Sequence, residues 1–264
     1  MTSIFGRAGK IVMNFPESLL KALRTARRIA VFTGAGISAE SGLSTFRVPQ
    51  SGLWARFRPE DLATPQAFDR RPDFVWGWYE WRRMMVMRAQ PNPAHRAIAE
   101  LAARCADVAV VTQNVDDLHE RAGSRDVIRL HGSILHPRCR SCGQPYDFGG
   151  PIPDEPEGGR EVPPPRCGAC RGLVRPGVVW FGETLPVDAL ESAFAAARRC
   201  DLMFSIGTSA MVHPAAAVPQ VAAASGAVVV QVNLGPTPLD VLTEHNLVGA
   251  AGILLPALLK SAWG

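Results

Sequence analysis

Long apolar runs are missing from this sequence. The nearest approach to the roughly 18 uninterrupted apolar residues of a membrane-crossing helix is Ala215–Val232, which Pro219, Gln220 and Gln231 interrupt. No membrane span is expected. Cysteine is scarce as well: six in 264 residues cannot staple a chain of this length as a disulfide scaffold. The charges nearly balance, with 28 basic and 24 acidic residues and a net charge of +4. That mild excess lacks the concentrated basicity of a dedicated nucleic-acid binder and would suit an anionic ligand equally well. There is no internal repeat and no low-complexity tail. The opening MTSIFGRAGKIVMNFPE holds two basic residues and no acid before Glu17, yet lacks the apolar run of a secretory signal. A cytoplasmic location is expected, with organelle import by this segment, or a start at Met13, as the alternatives. What is present is hydrophobic: 47% of residues against 20% charged, enough to bury a core in one large domain carrying a small insert.

Apolar Leu19, Leu20, Leu23 and Ala26 recur at helical spacing and lead into Ile29–Phe32, a short apolar run that ends at glycine. Further strand-like runs stand at Val108–Thr112, Val127–Leu130, Leu202–Ile206 and Ala227–Val232, with helical patterns at Ala94–Ala103 and Ala189–Arg199 between them. The alternation predicts an α/β fold: a doubly wound, Rossmann-like parallel sheet. Between Arg138 and Arg175 the periodicity fails in proline- and glycine-rich sequence that cannot hold a core unaided, which predicts a small metal-stapled module over 138–175. The expected organisation is an N-terminal segment and first helix over 1–28, then the sheet domain over 29–137 and 176–264, interrupted by a helical and loop section around 48–92.

Thr33-Gly34-Ala35-Gly36-Ile37-Ser38-Ala39 follows a strand and fits the glycine turn that lets backbone N–H groups approach a pyrophosphate. An ordinary dehydrogenase would place an acidic residue at a second strand end about twenty positions on, where this sequence has the polar loop WARFRPEDL. Arg47 could reach a diphosphate from that loop instead. Gln113, Asn114 and Asp116 lie just past one strand, and His131 just past the next. Both groups fall on the carboxyl edge of the sheet, and His131 is a candidate general base because imidazole titrates near neutral pH. Cys139-x-x-Cys142 and Cys167-x-x-Cys170 have the spacing of two zinc knuckles; four thiolates leave no open position, so the zinc would be structural. His136 could only substitute. Cys105 and Cys200 read as buried thiols.

The segments GAGISAESGLSTFR, TQNVDDLHERAG, LHGS, the four cysteines, RPGVVWFGE, SIGTSAMVHPAA and QVNLGP occur in this order from Gly34 to Pro236. Together they resemble the sirtuin family of NAD-dependent protein lysine deacylases. The resemblance implies that Gly34, Ala35, Gly36, Ile37, Ser38, Phe46, Arg47 and Trp54 bind NAD, with Phe46 shielding the reacting centre. Gln113, Asn114 and Asp116 would hold the nicotinamide ribose and carboxamide. Gly207, Thr208, Ser209, Asn233, Leu234 and Gly235 would contact the adenosine half, with Ala251 near the adenine. Asn114, Asp116 and His131 would be the catalytic set. The implied reaction is acyl transfer: the substrate acyl oxygen attacks C1′ of the nicotinamide ribose, nicotinamide leaves, and His131 deprotonates a ribose hydroxyl.

Val178, Val179, Trp180 and Phe181 resemble the family segment that pairs with an extended acyl-lysine peptide by strand addition. Tyr79 and Arg82 lie three apart in the helical run FVWGWYEWRRMM and so share a face. From spacing alone they read as part of an amphipathic helix with a solvated Arg. They resemble the sirtuin class whose pocket accepts malonyl, succinyl or glutaryl lysine, the Arg pairing with the distal carboxylate. The expected partners are acylated-lysine proteins, with no membrane and no specific nucleic acid. An ADP-ribosyltransferase on the same scaffold is the alternative. A zinc-ribbon nucleic-acid binder is disfavoured because Asp147, Asp154, Glu155, Glu157 and Glu161 in the knuckle region would repel phosphate.

Overall fold

Ile29 and Val31 face one side of a short strand and Ala30 and Phe32 the other, and all four are buried, so this strand must run through a sheet covered on both faces. The computed structural model, which describes residues 13–44, 58–148, 154–156 and 158–264, places it there. Helix α1 (Glu17–Thr25) leads into β1 (Arg28–Thr33) and the short α2 (Gly36–Ala39). A helical section follows: α3 (Pro59–Leu62), α4 (Pro65–Arg70), α5 (Pro72–Arg88) and α6 (Pro93–Arg104). Next come β2 (Asp107–Thr112), α7 (Leu118–Arg121), β3 (Ile128–Arg129), β4 (Gly132–Cys139) and β5 (Val174–Val178). The remaining elements are α8 (Val187–Arg199), β6 (Leu202–Ile206), α9 (Ala217–Ala224), β7 (Val228–Asn233), a 3-10 turn at Pro238–Leu242, β8 (His245–Val248) and α10 (Ala251–Trp263).

Six strands form a wholly parallel sheet in the order β3-β2-β1-β6-β7-β8. The chain winds outward from β1 in one direction and from β6 in the other, and a crevice opens beyond their carboxyl ends at that reversal. Leu19, Leu23, Ile98, Leu101, Leu255 and Leu258 pack α1, α6 and α10 on one face. Burying each such side chain contributes about 1.5–3 kcal/mol before entropy is counted. On the other face, Ala193 and Ala197 of α8 and Val218 and Ala222 of α9 let those helices approach closely. A separate core joins Phe68, Trp78 and Tyr79 of α4 and α5 to Ile134, Val174 and Trp180 around the antiparallel pair β4 and β5.

Three strands, β4, β5 and β8, are not among the strand-like runs of the sequence; β5 holds Pro176 and Gly177 and pairs, among the described residues, only with β4. β8 is a sheet edge whose residues alternate between partial and full exposure, so it carries no apolar run. β4 has Pro137 in it and shifts register between Ser133 and Arg138. Phe46, Arg47 and Trp54 lie outside the described residues. Among the described residues, no helix is long and apolar enough to cross a membrane.

Candidate active site

Hydrogen bonding continues past the strand ends. Gly34 N–H donates to the Ile206 carbonyl at 3.0 Å and Gly36 N–H to the Gly207 carbonyl at 2.8 Å. The glycine turn after β1 therefore sits directly against the turn after β6. A Cβ on Gly36 would lie 2.7 Å from the Gly207 backbone, so only glycine lets the two turns meet. Ala35 is half-buried in the same turn, and Ile37 and Ser38 are buried in α2.

The residues after β2 turn into this junction. Asn114 Nδ2 donates to the Gly34 carbonyl and to Ser38 Oγ, each at 3.2 Å. Ser38 Oγ donates to Asp116 Oδ2 at 2.9 Å, while Asp116 Oδ1 accepts from Leu118 N–H at 3.1 Å. Burial pushes the Asp116 carboxyl above the usual aspartate range despite these bonds. Gln113 Nε2 donates to Thr208 Oγ1 at 2.9 Å, and Asn233 Nδ2 donates to the Thr208 carbonyl at 3.0 Å. Four strand ends are thus linked by side-chain bonds. Ser209 is half-buried beside Thr208, and Gly235 follows Leu234. Leu234 and Val248 are 75% and 72% exposed at the ends of β7 and β8, with Ile253 58% exposed in the first turn of α10 beside buried Ala251. Large apolar side chains left open at a crevice suit a flat heterocycle.

His131 enters from the turn between β3 and β4. Its Nδ1 lies 2.8 Å from the Gln113 carbonyl. A carbonyl can only accept, so Nδ1 carries the proton and Nε2 keeps its lone pair. Burial lowers His131 below the usual imidazole range, the bond to Gln113 opposing it in part. The ring is therefore a neutral base near pH 7, fixed in one tautomer.

Tyr79 is buried in α5, whereas Arg82 is half-buried and holds its guanidinium 5.0 Å from the centre of the Trp78 ring; desolvation lowers the Arg82 pKa, opposed by the charges of Tyr79 and then Asp116. The solvated-helix reading does not hold for Tyr79, which is 4% exposed. The Trp180 side chain is turned inward: it is 2% exposed, and its indole N–H donates to the Tyr79 hydroxyl at 3.0 Å. Its backbone N–H goes to Glu183 Oε2 at 2.9 Å. Val178 belongs to β5, Val179 N–H donates to the His131 carbonyl and Phe181 N–H to the Ala63 carbonyl, each at 2.9 Å. Within the described residues no bond reaches the Val179 and Phe181 carbonyls, and the Phe181 side chain is exposed.

The four knuckle cysteines converge, their sulfurs all within 4.8 Å of one another. Cys139 and Cys170 are 3.4 Å apart, Cys142 and Cys170 3.5 Å, and Cys142 and Cys167 3.8 Å. Tetrahedral zinc with bonds of about 2.3 Å spaces its sulfurs about 3.8 Å apart, so this donor set fits zinc. The Ser141 N–H directed at Cys139 Sγ, 3.4 Å away, favours the thiolate. His136 is exposed and is not part of the cluster; Cys105 and Cys200 are buried free thiols. Arg140 of the first knuckle pairs both ways with Asp69 of α4, at 2.7 and 2.6 Å, which ties the module to the helical layer.

Some structured residues carried no signal in the sequence reading. His119 Nε2 lies 3.0 Å from Thr33 Oγ1, Thr33 Oγ1 donates to Thr112 at 2.9 Å, and the His95 and His119 rings meet edge-on at 4.9 Å. Burial holds His95 down to about 4 and His119 to about 3. A histidine at helical spacing in PNPAHRAI looks like any surface polar residue; its burial follows only from the packing of α6 on α7.

Residues 34–214 match the Sir2 family. The chain is 59% identical to an NAD-dependent protein deacylase of Methylococcus capsulatus, over 94% of this chain and 98% of that one. It is 58% identical to NAD-dependent protein deacylase 1 of Pseudomonas aeruginosa, over 94% and 99%. Among solved structures it is similar to a Sir2 homologue in complex with NAD, with a TM-score of 0.85 and 45% identity over 94% of each chain. It is also similar to Sir2 with a p53 peptide and NAD+, with a TM-score of 0.80 and 32% identity over 93% of this chain and 97% of that one. Matched along most of its length by the family and along nearly all of it by these relatives, the chain belongs to the Sir2 family.

Proposed function

We propose that this protein is an NAD-dependent protein lysine deacylase that removes acetyl groups and, through Tyr79 and Arg82, succinyl and malonyl groups. The observation that carries the reading is His131: a neutral imidazole, its Nδ1–H held by the Gln113 carbonyl, with Nε2 available at the crevice bordered by Ser38, Asn114 and Asp116. Bound NAD supplies the ribose carbon that takes the acyl oxygen and the nicotinamide that leaves. The touching glycine turns, the carboxylate and carboxamide after β2, and the open apolar side chains after β7 and β8 fit that dinucleotide. Asn114 and Asp116 would orient the nicotinamide ribose, and His131 Nε2 would take a ribose hydroxyl proton. Water must be kept out, because hydrolysis there would consume NAD without deacylation; Phe46 is the residue proposed for this.

The cysteine cluster would hold one structural zinc. The Val179 and Phe181 carbonyls and Gly182 are the backbone left to pair with an extended peptide, and Arg82 would meet the carboxylate of a succinyl chain. The test is to incubate the protein with NAD and matched acetyl-, malonyl- and succinyl-lysine peptides and follow product masses. Free lysine peptide, nicotinamide and O-acyl-ADP-ribose are expected in equal amounts. A mass gain of ADP-ribose on protein, without deacylation, would point to the transferase instead.

A further inference from the structure

Asn92 is the N-cap of α6, and its Oδ1 accepts from Ala94 N–H at 2.9 Å and from His95 N–H at 3.4 Å. Capping asks only for such an acceptor, which Ser, Thr or Asp supplies as well. The nitrogen serves another element: Asn92 Nδ2 donates to the Ile37 carbonyl at 2.7 Å and to Ser41 Oγ at 3.0 Å. This amide cannot be turned over, because the Ile37 carbonyl only accepts and the Ala94 N–H only donates. Both ends of a buried side chain are thus in use.

α2 needs an outside hold. It is a single turn of four residues, too short to persist unaided, and a helix end leaves carbonyls without partners. Ser41 N–H goes to the Ser38 carbonyl at 3.0 Å, and Asn92 takes the Ile37 carbonyl instead. α2 carries Ser38, whose hydroxyl bonds Asp116. Asp116 is tied to the same place from the other side. Two residues after it α7 begins, and Arg121 of α7 donates through Nη2 to the Ala89 carbonyl at 2.6 Å and through Nη1 to the Val86 carbonyl at 3.2 Å. Ala89 ends α5 and Asn92 starts α6, so one short junction holds both partners. The ring of contacts runs from Ser38 through Asn92, the junction and Arg121 to Asp116, and the Ser38–Asp116 bond closes it.

We propose that Asn92 is a positioning residue for cofactor binding: from the α5–α6 junction its amide nitrogen fixes α2 so that Ser38 Oγ stays on Asp116 and Asn114 when NAD enters. The inference rests on the NAD reading above and adds to it a residue that acts through Ser38.

The test is the Kd for NAD by calorimetry, with the thermal midpoint, in Asn92→Ser, Asn92→Asp, Asn92→Ala and Asn92→Ser combined with Ser38→Ala. Ser and Asp keep the cap and lose the nitrogen, whereas Ala loses both. One hydrogen bond corresponds to roughly two- to tenfold, so Kd should rise about three- to tenfold in Asn92→Ser. It should rise at least as much in Asn92→Asp, where a carboxylate oxygen meets the Ile37 carbonyl. Asn92→Ala should match Asn92→Ser in Kd and melt at a lower temperature for want of the cap. KM for the peptide at saturating NAD should stay within about twofold of wild type. In the Ser38→Ala background, Asn92→Ser should raise Kd by less than about twofold. A Kd unchanged in Asn92→Ser and Asn92→Asp, or raised as much without the Ser38 hydroxyl as with it, overturns the proposal and leaves Asn92 a helix cap. Should the Asn92 variants fail to fold, Ser41→Ala removes one of the two acceptors without touching the cap and carries the same comparison, with a rise of about twofold expected and no rise overturning the proposal. A wild type that binds no NAD defeats the cofactor reading and this inference with it; NAD bound equally well by wild type and Asn92→Ser defeats this inference alone.

Discussion

At the sheet end of the crevice, the polar groups stand within a few residues of a strand terminus: Gly34 after β1, Gln113 to Asp116 after β2, His131 after β3, Thr208 after β6 and Asn233 at the end of β7. At the other end, Tyr79 comes from α5, Trp180 from the turn after β5, and their hydroxyl and indole meet across 101 positions of sequence. The first end is positioned by the ladder of a parallel sheet, which continues into the turns. The second depends on the ion pair of Arg175 with Glu183, stacked aromatics and a module tied to α4 by Arg140 and Asp69. Rigid strand ends suit chemistry that is the same for every substrate, whereas packed side chains can change acyl choice without disturbing it.

The largest expected effect separates the two ends by chemistry. His131→Ala should lose on the order of 10²–10⁴ in deacylation rate on acetyl and succinyl peptides alike, the usual worth of a positioned proton acceptor. NAD binding, measured by calorimetry, should persist; wild-type turnover in this variant would remove His131 from the mechanism.

At the other end the loss should depend on the acyl group. Arg82→Met keeps the side-chain bulk, and stranding a succinyl carboxylate in a desolvated pocket should cost about 2–4 kcal/mol, or roughly 30- to 1000-fold in kcat/KM. Acetyl-lysine turnover should change far less. Equal losses on both peptides would make Arg82 a support of the fold.

Removing zinc should strike the packed end first. The knuckle segment has no core of its own, so chelation should release Arg140 from Asp69 and lower succinyl-peptide turnover on the order of tenfold or more. NAD affinity should fall much less. Full activity in protein shown by elemental analysis to lack zinc would break the link.

A last effect, which leaves turnover at neutral pH untouched, concerns the sheet end and is read in stability against pH. His95 and His119 are held by burial to about 4 and about 3, whereas in the unfolded chain they titrate near 6.5. Between those values the unfolded state binds more protons, so stability is fully present above about pH 6.5 and declines on acidification toward pH 4. The limiting slope is about 1.4 kcal/mol per pH unit for each proton. His95→Gln should flatten the fall in thermal midpoint over this window; an unchanged slope would mean that neither buried ring carries it.

The same contrast explains what could be read from the sequence. β1, β2, β6 and β7 are legible because each is buried on both faces and reads as an aliphatic run, and the polar residues that follow such runs must fall at one edge of the sheet. The four cysteines are legible because metal ligation imposes spacing. The inward turn of the Trp180 side chain is not legible, because two adjacent aromatics before a glycine suit an exposed strand as well as a core. Only the packing of Phe68, Tyr79 and Arg175 around it decides that it points inward. β8, β4 and β5 escape notice for local reasons, the first polar at an edge, the second irregular in register and the third broken by Pro176 and Gly177. His95 and His119 escape because burial by another helix leaves no mark on the buried residue's own neighbours.

The most direct test of acyl transfer with a separable acyl selector is a competition. Wild type, His131→Ala and Arg82→Met are each given limiting NAD with equal acetyl- and succinyl-lysine peptides, and the O-acyl-ADP-ribose species are weighed by mass spectrometry. Wild type should yield both esters in an amount matching the nicotinamide released, Arg82→Met the acetyl ester almost alone, and His131→Ala next to neither. Nicotinamide released by the wild type without either ester, or an acetyl-to-succinyl ratio that Arg82→Met leaves unchanged, would contradict the account.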